Sequence, residues 1–322
     1  MQRRKLGALK VSAIGLGAPI YDATTDQEID ALITRAFALG IDLIDTSDAY
    51  QGGQHEAALG RVLKSRRSQA VLATKFGNLR DKDGKPAGVN GRPDYVFAAC
   101  ERSLKALATD VIDLYYIHRV DPDVPIEETV GAMATLKTQG KIRHLGICEA
   151  APATLRRAQA VHPISALQTE YSLWSRDPEG GLLDLCAELG IGFVAYSPLG
   201  RGFLTSTVTG TDAMQAGDLR RSHPRFQADN AVHNRELIER MNAVAKRRGC
   251  TPAQLALAWL LQRRDFIVPV PGTRRVAYLQ DNAQAADTVL SAEAMAELDR
   301  IFAPGAVAGE RYPPGLLARV NL

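Results

Sequence analysis

Short, continuous apolar runs alternate with longer amphipathic runs almost from one end of the chain to the other. The apolar runs at 13–16, 42–44, 70–74, 112–117, 144–147, 166–169, 192–195 and 267–268 predict strands. Between them, residues 25–39, 93–108, 126–139, 152–161, 181–189 and 252–263 predict helices. The first of these has an acidic first turn and stops at Gly40, a matched start and stop. Several begin at a proline, where the missing N–H leaves no helical hydrogen bond unmade.

Strand–helix alternation predicts parallel βαβ units. Eight such strands with no break in the pattern favour a closed (β/α)8 TIM barrel, one domain spanning residues 1–322. The competing fold is an open, doubly wound sheet with a G-x-G-x-x-G fingerprint after its first strand. Here that place reads Gly15-Leu16-Gly17-Ala18-Pro19-Ile20, with no third glycine and a proline where a helix would start. Three regions lie outside a bare barrel. Residues 2–12 read as a hairpin, 197–230 as a long loop over the active face, and the tail from Ala303 as a second cover for that face.

Charge narrows the function classes. A net charge of +3 over 322 residues, with no long basic run, gives no footprint for nucleic acid. The clusters Arg3-Arg4-Lys5 and Arg66-Arg67 read as solvated faces. No stretch reaches the roughly 20 apolar residues of a membrane-spanning helix, and the N-terminus does not read as a secretory signal. Cys100, Cys148, Cys186 and Cys250 are scattered without C-x-x-C spacing, which fits reduced thiols and argues against structural zinc. The expectation is a soluble, cytoplasmic protein with no metal. Its oligomeric state is open.

Barrel enzymes carry their chemistry at the C-terminal ends of strands. Polar residues at those places are Asp45, Lys75, His118, Gln168 and Tyr196, with Tyr50 in the loop after the second strand. Taken singly, each has an ordinary explanation: a loop cap for Asp45, a snorkelling surface group for Lys75, a core histidine for His118. Together at one mouth, Asp, Tyr, Lys and His make a proton donor. A tyrosine is a weak acid with an ordinary pKa of about 10, and a nearby ammonium favours its phenolate. The aspartate holds the lysine, and the histidine orients a carbonyl. No side chain in the set supplies a hydride, so a nicotinamide cofactor is implied.

The segments IDTSDAY, ATKFG, DLYYIHR and YSPLGRGFL, in this order, resemble the signatures of the aldo-keto reductase superfamily. The stretches HRVDPDVPIEETVGAM and HPISALQTEYSLWSRDPE are similar to the pyridoxal reductase-like branch of bacterial and plant enzymes. The resemblance implies a catalytic tetrad of Asp45, Tyr50, Lys75 and His118 and a nicotinamide site at Cys148, Gln168 and Tyr196. It places Gly17 and Ser197, Pro198, Leu199, Gly200 and Arg201 along the cofactor. Gly272, Thr273, Arg274, Tyr278, Asp281 and Asn282 would surround its adenosine end. Arg274, with Arg275 as competitor, implies NADPH, because a guanidinium fork suits a phosphate dianion. The implied substrate is a small carbonyl compound, with Tyr21, Phe76 and Trp174 as an aromatic pocket wall.

This chain departs from the family pattern at Gln51, where glycine is usual, and at Cys148-Glu149, where Ser-Asn is common. It also has Gly17-Ala18-Pro19-Ile20-Tyr21 in place of a methionine-containing run. The leading expectation is NADPH-dependent reduction of aldehydes or ketones with Tyr50 as acid. Two others stand beside it: an NADPH-binding regulatory or redox-sensing subunit with little turnover, and a barrel hydrolase or lyase using the acidic residues.

Overall fold

Strands with apolar side chains on both faces are stable only when both faces are covered, and the backbone of this chain meets that condition by closing on itself. A computed structural model describes residues 1–17, 25–81, 84–208, 210–211, 214–215 and 217–320. The barrel strands are β3 (Leu16–Gly17), β4 (Leu43–Asp45), β5 (Val71–Phe76), β8 (Ile112–Ile117), β9 (Ile142–Cys148), β10 (Ala166–Glu170), β11 (Gly192–Tyr196) and β12 (Ile267–Pro269). They pair in parallel in that order. The seam between first and last is closed by a Gly17–Gly272 bridge and by Gly15 N–H donating to the Pro269 carbonyl at 3.0 Å.

The helices cover the outside: α1 (Asp26–Ala38), α2 (Gln54–Leu63), α3 (Pro93–Ala106), α4 (Ile126–Thr138), α5 (Pro152–Val161), α6 (Leu182–Leu189), α7 (Ala228–Arg248), α8 (Pro252–Arg263), α9 (Val276–Gln284), α10 (Ala292–Ile301) and the short α11 (Pro314–Leu317). Thr25 starts α1 and Thr251 starts α8, each in a reciprocal capping box with the residue three positions on. Two hairpins are added: β1 (Arg3–Leu6) with β2 (Leu9–Ser12), and β6 (Asn78–Arg80) with β7 (Pro86–Val89). Among the described residues no helix is long and apolar enough to cross a membrane.

Side-chain alternation splits the core into two layers. Leu43, Ala73, Leu114, Tyr116, Ala166, Val194 and Val268 fill the barrel interior. Ile44, Leu72, Tyr115, Ile117, Leu145, Leu167 and Phe193 face the helices. Tyr116 takes so much interior space that a Cβ on Gly146 would lie 2.3 Å from its ring. The bottom is closed by the first hairpin. Leu6 is fully buried there, and a Cβ on Gly192 would meet the Leu6 Cα at 2.4 Å.

Several elements differ from the sequence expectation. The segment expected as a loop over 197–230 holds short 3-10 turns at Gly200–Thr205, Leu219–Ser222 and Pro224–Phe226, then becomes α7. Neither α7, a 21-residue helix with a mostly polar surface, nor the β6–β7 hairpin stands out in the apolar pattern. The basic clusters are not simply solvated. Arg4 donates to the carbonyls of Arg264 and Ile267 at 2.8 and 2.6 Å, fastening the hairpin to the barrel. Arg67 binds the Val111 carbonyl and the buried Asp113 carboxylate, both at 2.7 Å.

Leu6→Ala removes the side chain that closes the barrel floor. It should lower stability by about 2–5 kcal/mol in equilibrium urea unfolding, the range for emptying a packed core site. A loss of a few tenths would mean the hairpin only rests on the barrel.

Candidate active site

A strand's side chains alternate with a period of two, so the residue two positions beyond an interior residue points to the same side. Asp45 follows Leu43, Lys75 follows Ala73, Gln168 follows Ala166 and Tyr196 follows Val194. Register then sets these strand ends at one level: Gly17 beside Asp45, Lys75 beside Tyr116, and Cys148 beside Gln168. The polar residues predicted from strand ends therefore converge on the C-terminal mouth of the barrel.

At its centre is a buried ion pair. Lys75 Nζ donates to Asp45 Oδ1 and, at 2.8 Å, to the Thr46 carbonyl. The second carboxylate oxygen of Asp45 accepts from Gln168 Nε2 at 2.9 Å. Lys75 is 0% exposed. Burial by itself would lower its pKa, but Asp45 reverses this and holds it above the ordinary lysine value. The ammonium lies 5.5 Å from the centroid of the Tyr50 ring and 5.9 Å from that of Tyr116.

Tyr50 opens a 3-10 turn whose next residue, Gln51, has φ 50°, so the left-handed turn is retained without the usual glycine. The Tyr50 ring meets the edge of His118 at 5.9 Å between centroids. Burial raises the Tyr50 pKa; Lys75 pulls it down and Asp45 pushes it up again. The net direction is upward, which differs from the expectation that Lys75 dominates, because burial outweighs the ammonium and Asp45 offsets part of its pull. His118 shares a hydrogen bond of 3.0 Å between Nδ1 and Ser47 Oγ. Burial, followed by the charges of Arg119 and Lys75, drives its pKa well below the ordinary histidine value. It stands in the mouth as a neutral imidazole.

Cys148 is buried beside this group, and burial pushes its thiol up to about 12. It is a protonated packing group. Glu149 was not singled out from sequence as a partner, and it anchors the other half of the mouth. Fully shielded by its surroundings, it accepts from Tyr196 OH at 2.7 Å and from the Glu170 N–H at 3.0 Å. It also binds both terminal nitrogens of Arg311, at 3.1 and 3.0 Å. Tyr312 follows with its hydroxyl 2.8 Å from that of Tyr196. The C-terminal segment is thus strapped over the mouth, as expected of the tail. The one signal in the sequence was the Cys148-Glu149 departure; the partner lies 162 positions away.

The remaining predicted residues divide. Arg201, expected beside the cofactor, donates to buried Glu170 at 2.7 Å and lies 4.9 Å over the Tyr312 ring. Ser197 and Gly200 both have left-handed backbone, and a Cβ on Gly200 would meet Trp174 at 2.6 Å, so Pro198 and Leu199 sit in a tightly turned loop. Trp174 is buried among Phe203 and Phe226, under that loop. Phe76 is fully buried on the helix side of the sheet, stacked on Tyr115 at 4.8 Å. Neither aromatic lines the open mouth, and Tyr21 lies outside the described residues. On the turn into α9, Thr273 Oγ1 accepts from Arg275 N at 3.1 Å, and Arg275 Nη1 donates to Tyr278 OH at 3.1 Å. Arg274 lies within electrostatic range of Glu28. Asn282 is buried, while Asp281 accepts from Gln254 Nε2 at 2.7 Å and so also serves the start of α8.

The fold and site together define a barrel oxidoreductase. Residues 13–303 match the aldo/keto reductase family. Probable aldo-keto reductase 1 of Glycine max is 42% identical over 313 residues, covering 97% of this chain and 90% of that protein. Among solved structures, the glycerol dehydrogenase of Gluconobacter oxydans aligns with a TM-score of 0.86 at 26% identity, covering 97% of each chain. An aldo-keto reductase from Bacillus halodurans, in its holo form, aligns with a TM-score of 0.78 at 29% identity, covering 94% of this chain and 96% of that one. This chain belongs to the aldo/keto reductase family, whose members act on small carbonyl compounds with nicotinamide cofactors.

Glu149→Gln would leave the Arg311 guanidinium buried beside a neutral amide. It should cost about 3–5 kcal/mol of stability by urea unfolding, with much of the loss recovered when Arg311→Met is added. Simple additivity of the two changes would show that the pair is not coupled.

Proposed function

We propose that the chain reduces aldehydes or ketones to alcohols with NADPH, Tyr50 acting as general acid. The observation that carries this reading is the buried Lys75–Asp45 pair, with its ammonium 5.5 Å from the Tyr50 ring. That arrangement has a clear use: a phenol that must release a proton needs a fixed positive charge beside the phenolate it leaves.

The residues fit a nicotinamide dinucleotide. The Tyr196 hydroxyl is tied at both ends of its reach, to Glu149 and Tyr312, so its half-buried ring is fixed as a flat surface at the mouth. Gln168 lies beside it in the barrel with its amide nitrogen held by Asp45. The seam at Gly17 and Gly272 is bare backbone, where a Cβ on Gly17 would lie 2.6 Å from the Val270 carbonyl. Arg274 and Arg275, on the turn before α9, supply positive charge for the 2′-phosphate, Arg274 being our first choice.

The bound cofactor would supply a hydride to the carbonyl carbon. The carbonyl oxygen then carries the negative charge and takes the phenolic proton of Tyr50, giving the alcohol. Lys75 stabilises the phenolate that remains, and Asp45 keeps Lys75 charged. Neutral His118, oriented through Nδ1 by Ser47, presents Nε2 to the carbonyl oxygen.

Tyr50→Phe should reduce kcat by about 10²–10⁴-fold, the usual contribution of a positioned acid. Fluorescence titration should show NADPH affinity within about twofold of wild type, since no cofactor contact is assigned to the hydroxyl. Comparable turnover in the variant would sink the assignment. Because the Tyr50 pKa is raised, the acid form persists through neutrality. The kcat for reduction should stay flat from about pH 6 to about pH 9 and fall only above the ordinary phenol range. A decline centred near neutrality would identify another proton donor.

A further inference from the structure

Among the described residues, four buried or half-buried arginines and one lysine lie at the mouth, and three buried carboxylates pair with them. Asp45 takes Lys75, Glu149 takes Arg311, and Glu170 takes Arg201 with Arg225 at 3.8 Å. Arg119 is left over. It follows His118 directly at the end of β8, is half-buried, and among the described residues has no carboxylate within 4.0 Å. Its one hydrogen bond among the described residues runs from Nη1 to the His118 carbonyl at 2.7 Å. That bond holds one corner of the guanidinium and leaves the Nε–Nη2 edge with no protein acceptor among the described residues. This edge is the fork that binds both oxygens of a carboxylate or phosphate.

Its position is between the proton-donor group and the Glu149 cluster at the mouth. Arg119 lies within charge-interaction range of Tyr50, His118 and Cys148 on one side and of Tyr196, Tyr312 and Glu149 on the other, without an ion-pair contact to the carboxylate. The nearby Arg80 cannot serve in its place, because Nε and Nη1 are committed to the carbonyls of Ala49 and Gly84 at 2.9 and 2.6 Å. Polar groups withdrawn from water are normally paired, and a half-buried guanidinium with an open fork points to a ligand that completes it.

We propose that Arg119 is an anion subsite and that the substrates of this enzyme are carbonyl compounds that also carry an oxyanion, a carboxylate or a phosphate. The substrate carbonyl sits at Tyr50 and His118 while its anionic group reaches Arg119. The proposal rests on the reductase reading for its catalytic half, but the anion subsite is a property of the mouth itself. Arg119 selects substrate; it does not take part in proton transfer.

Three aldehydes of similar shape separate these ideas: 4-carboxybenzaldehyde, its neutral methyl ester, and 4-formylphenyl phosphate. Wild type should prefer one or both anions over the ester by about 10–100-fold in kcat/KM, the range of a charge-assisted hydrogen-bond pair. The difference should lie chiefly in KM. The better anion identifies which oxyanion the site takes. Arg119→Gln should collapse that preference, and Arg119→Lys should keep part of it. No preference in wild type, or an equal loss on charged and neutral aldehydes in both variants, would overturn the subsite.

Calorimetric titration with benzoate and benzamide, with and without NADPH, gives a reading that needs no turnover. Benzoate should bind more tightly than benzamide, and Arg119→Gln should remove the difference. Equal binding of the two, or benzoate binding that survives the substitution, overturns the proposal. Benzoate binding through Arg119 without reduction of any aldehyde would instead reject the reductase reading and leave the anion subsite standing.

Discussion

Everything at the mouth of this barrel is arranged around one fully buried ammonium. A lysine in that place without a partner would shed its proton, since burial disfavours the charged form. Asp45 prevents this, and doing so fixes much else. The aspartate spends one oxygen on Lys75 and the other on Gln168, which sets the rotamer of the glutamine. Lys75 spends a second donor on the Thr46 carbonyl, which fixes the start of the loop that carries Tyr50. The pull of Lys75 on the phenol is partly offset by Asp45 and outweighed by burial. Burial then dominates, and Tyr50 remains an acid.

A second tier of charge holds the roof. Glu149 and Glu170 are buried carboxylates at the ends of neighbouring strands, and each recruits an arginine from a distant part of the chain. Arg311 comes from the C-terminal segment and Arg201 from the loop after β11. Tyr312 lies between them, under Arg201 and against the hydroxyl of Tyr196. Such pairs are costly to break and contribute modestly when made, so their main effect here is to define one position for the roof. The same matching of charges leaves Arg119 without an ion-pair contact among the described residues, although Glu149 lies within charge-interaction range.

Much of this was legible in the chain and some was not, for reasons that differ by residue. Strand periodicity alone carries Asp45, Lys75, Gln168 and Tyr196 to the same mouth. Phe76 sits one residue beyond Lys75, and that single step sends it to the opposite face, against Tyr115. Trp174 lies past the end of β10, where no alternation applies, and it was drawn into the core by the apolar residues of a loop that reads as polar. Arg4 and Arg67 look like surface charge because arginine clusters usually are; here Arg4 donates to the carbonyl that ends α8 and Arg67 to the carbonyl just before β8.

The architecture and the proposed reacting group could be read from the chain alone, because both depend on local facts: the period of apolar residues and the identity of the residue at each strand end. The pairings exist only in the folded chain. Glu149 and Arg311 are 162 positions apart and carry no pattern linking them, and the direction of the Tyr50 pKa depends on burial outweighing the nearby ammonium. Electrostatics in a low-dielectric interior is set by distance and water exclusion. Those quantities exist only after the chain has folded.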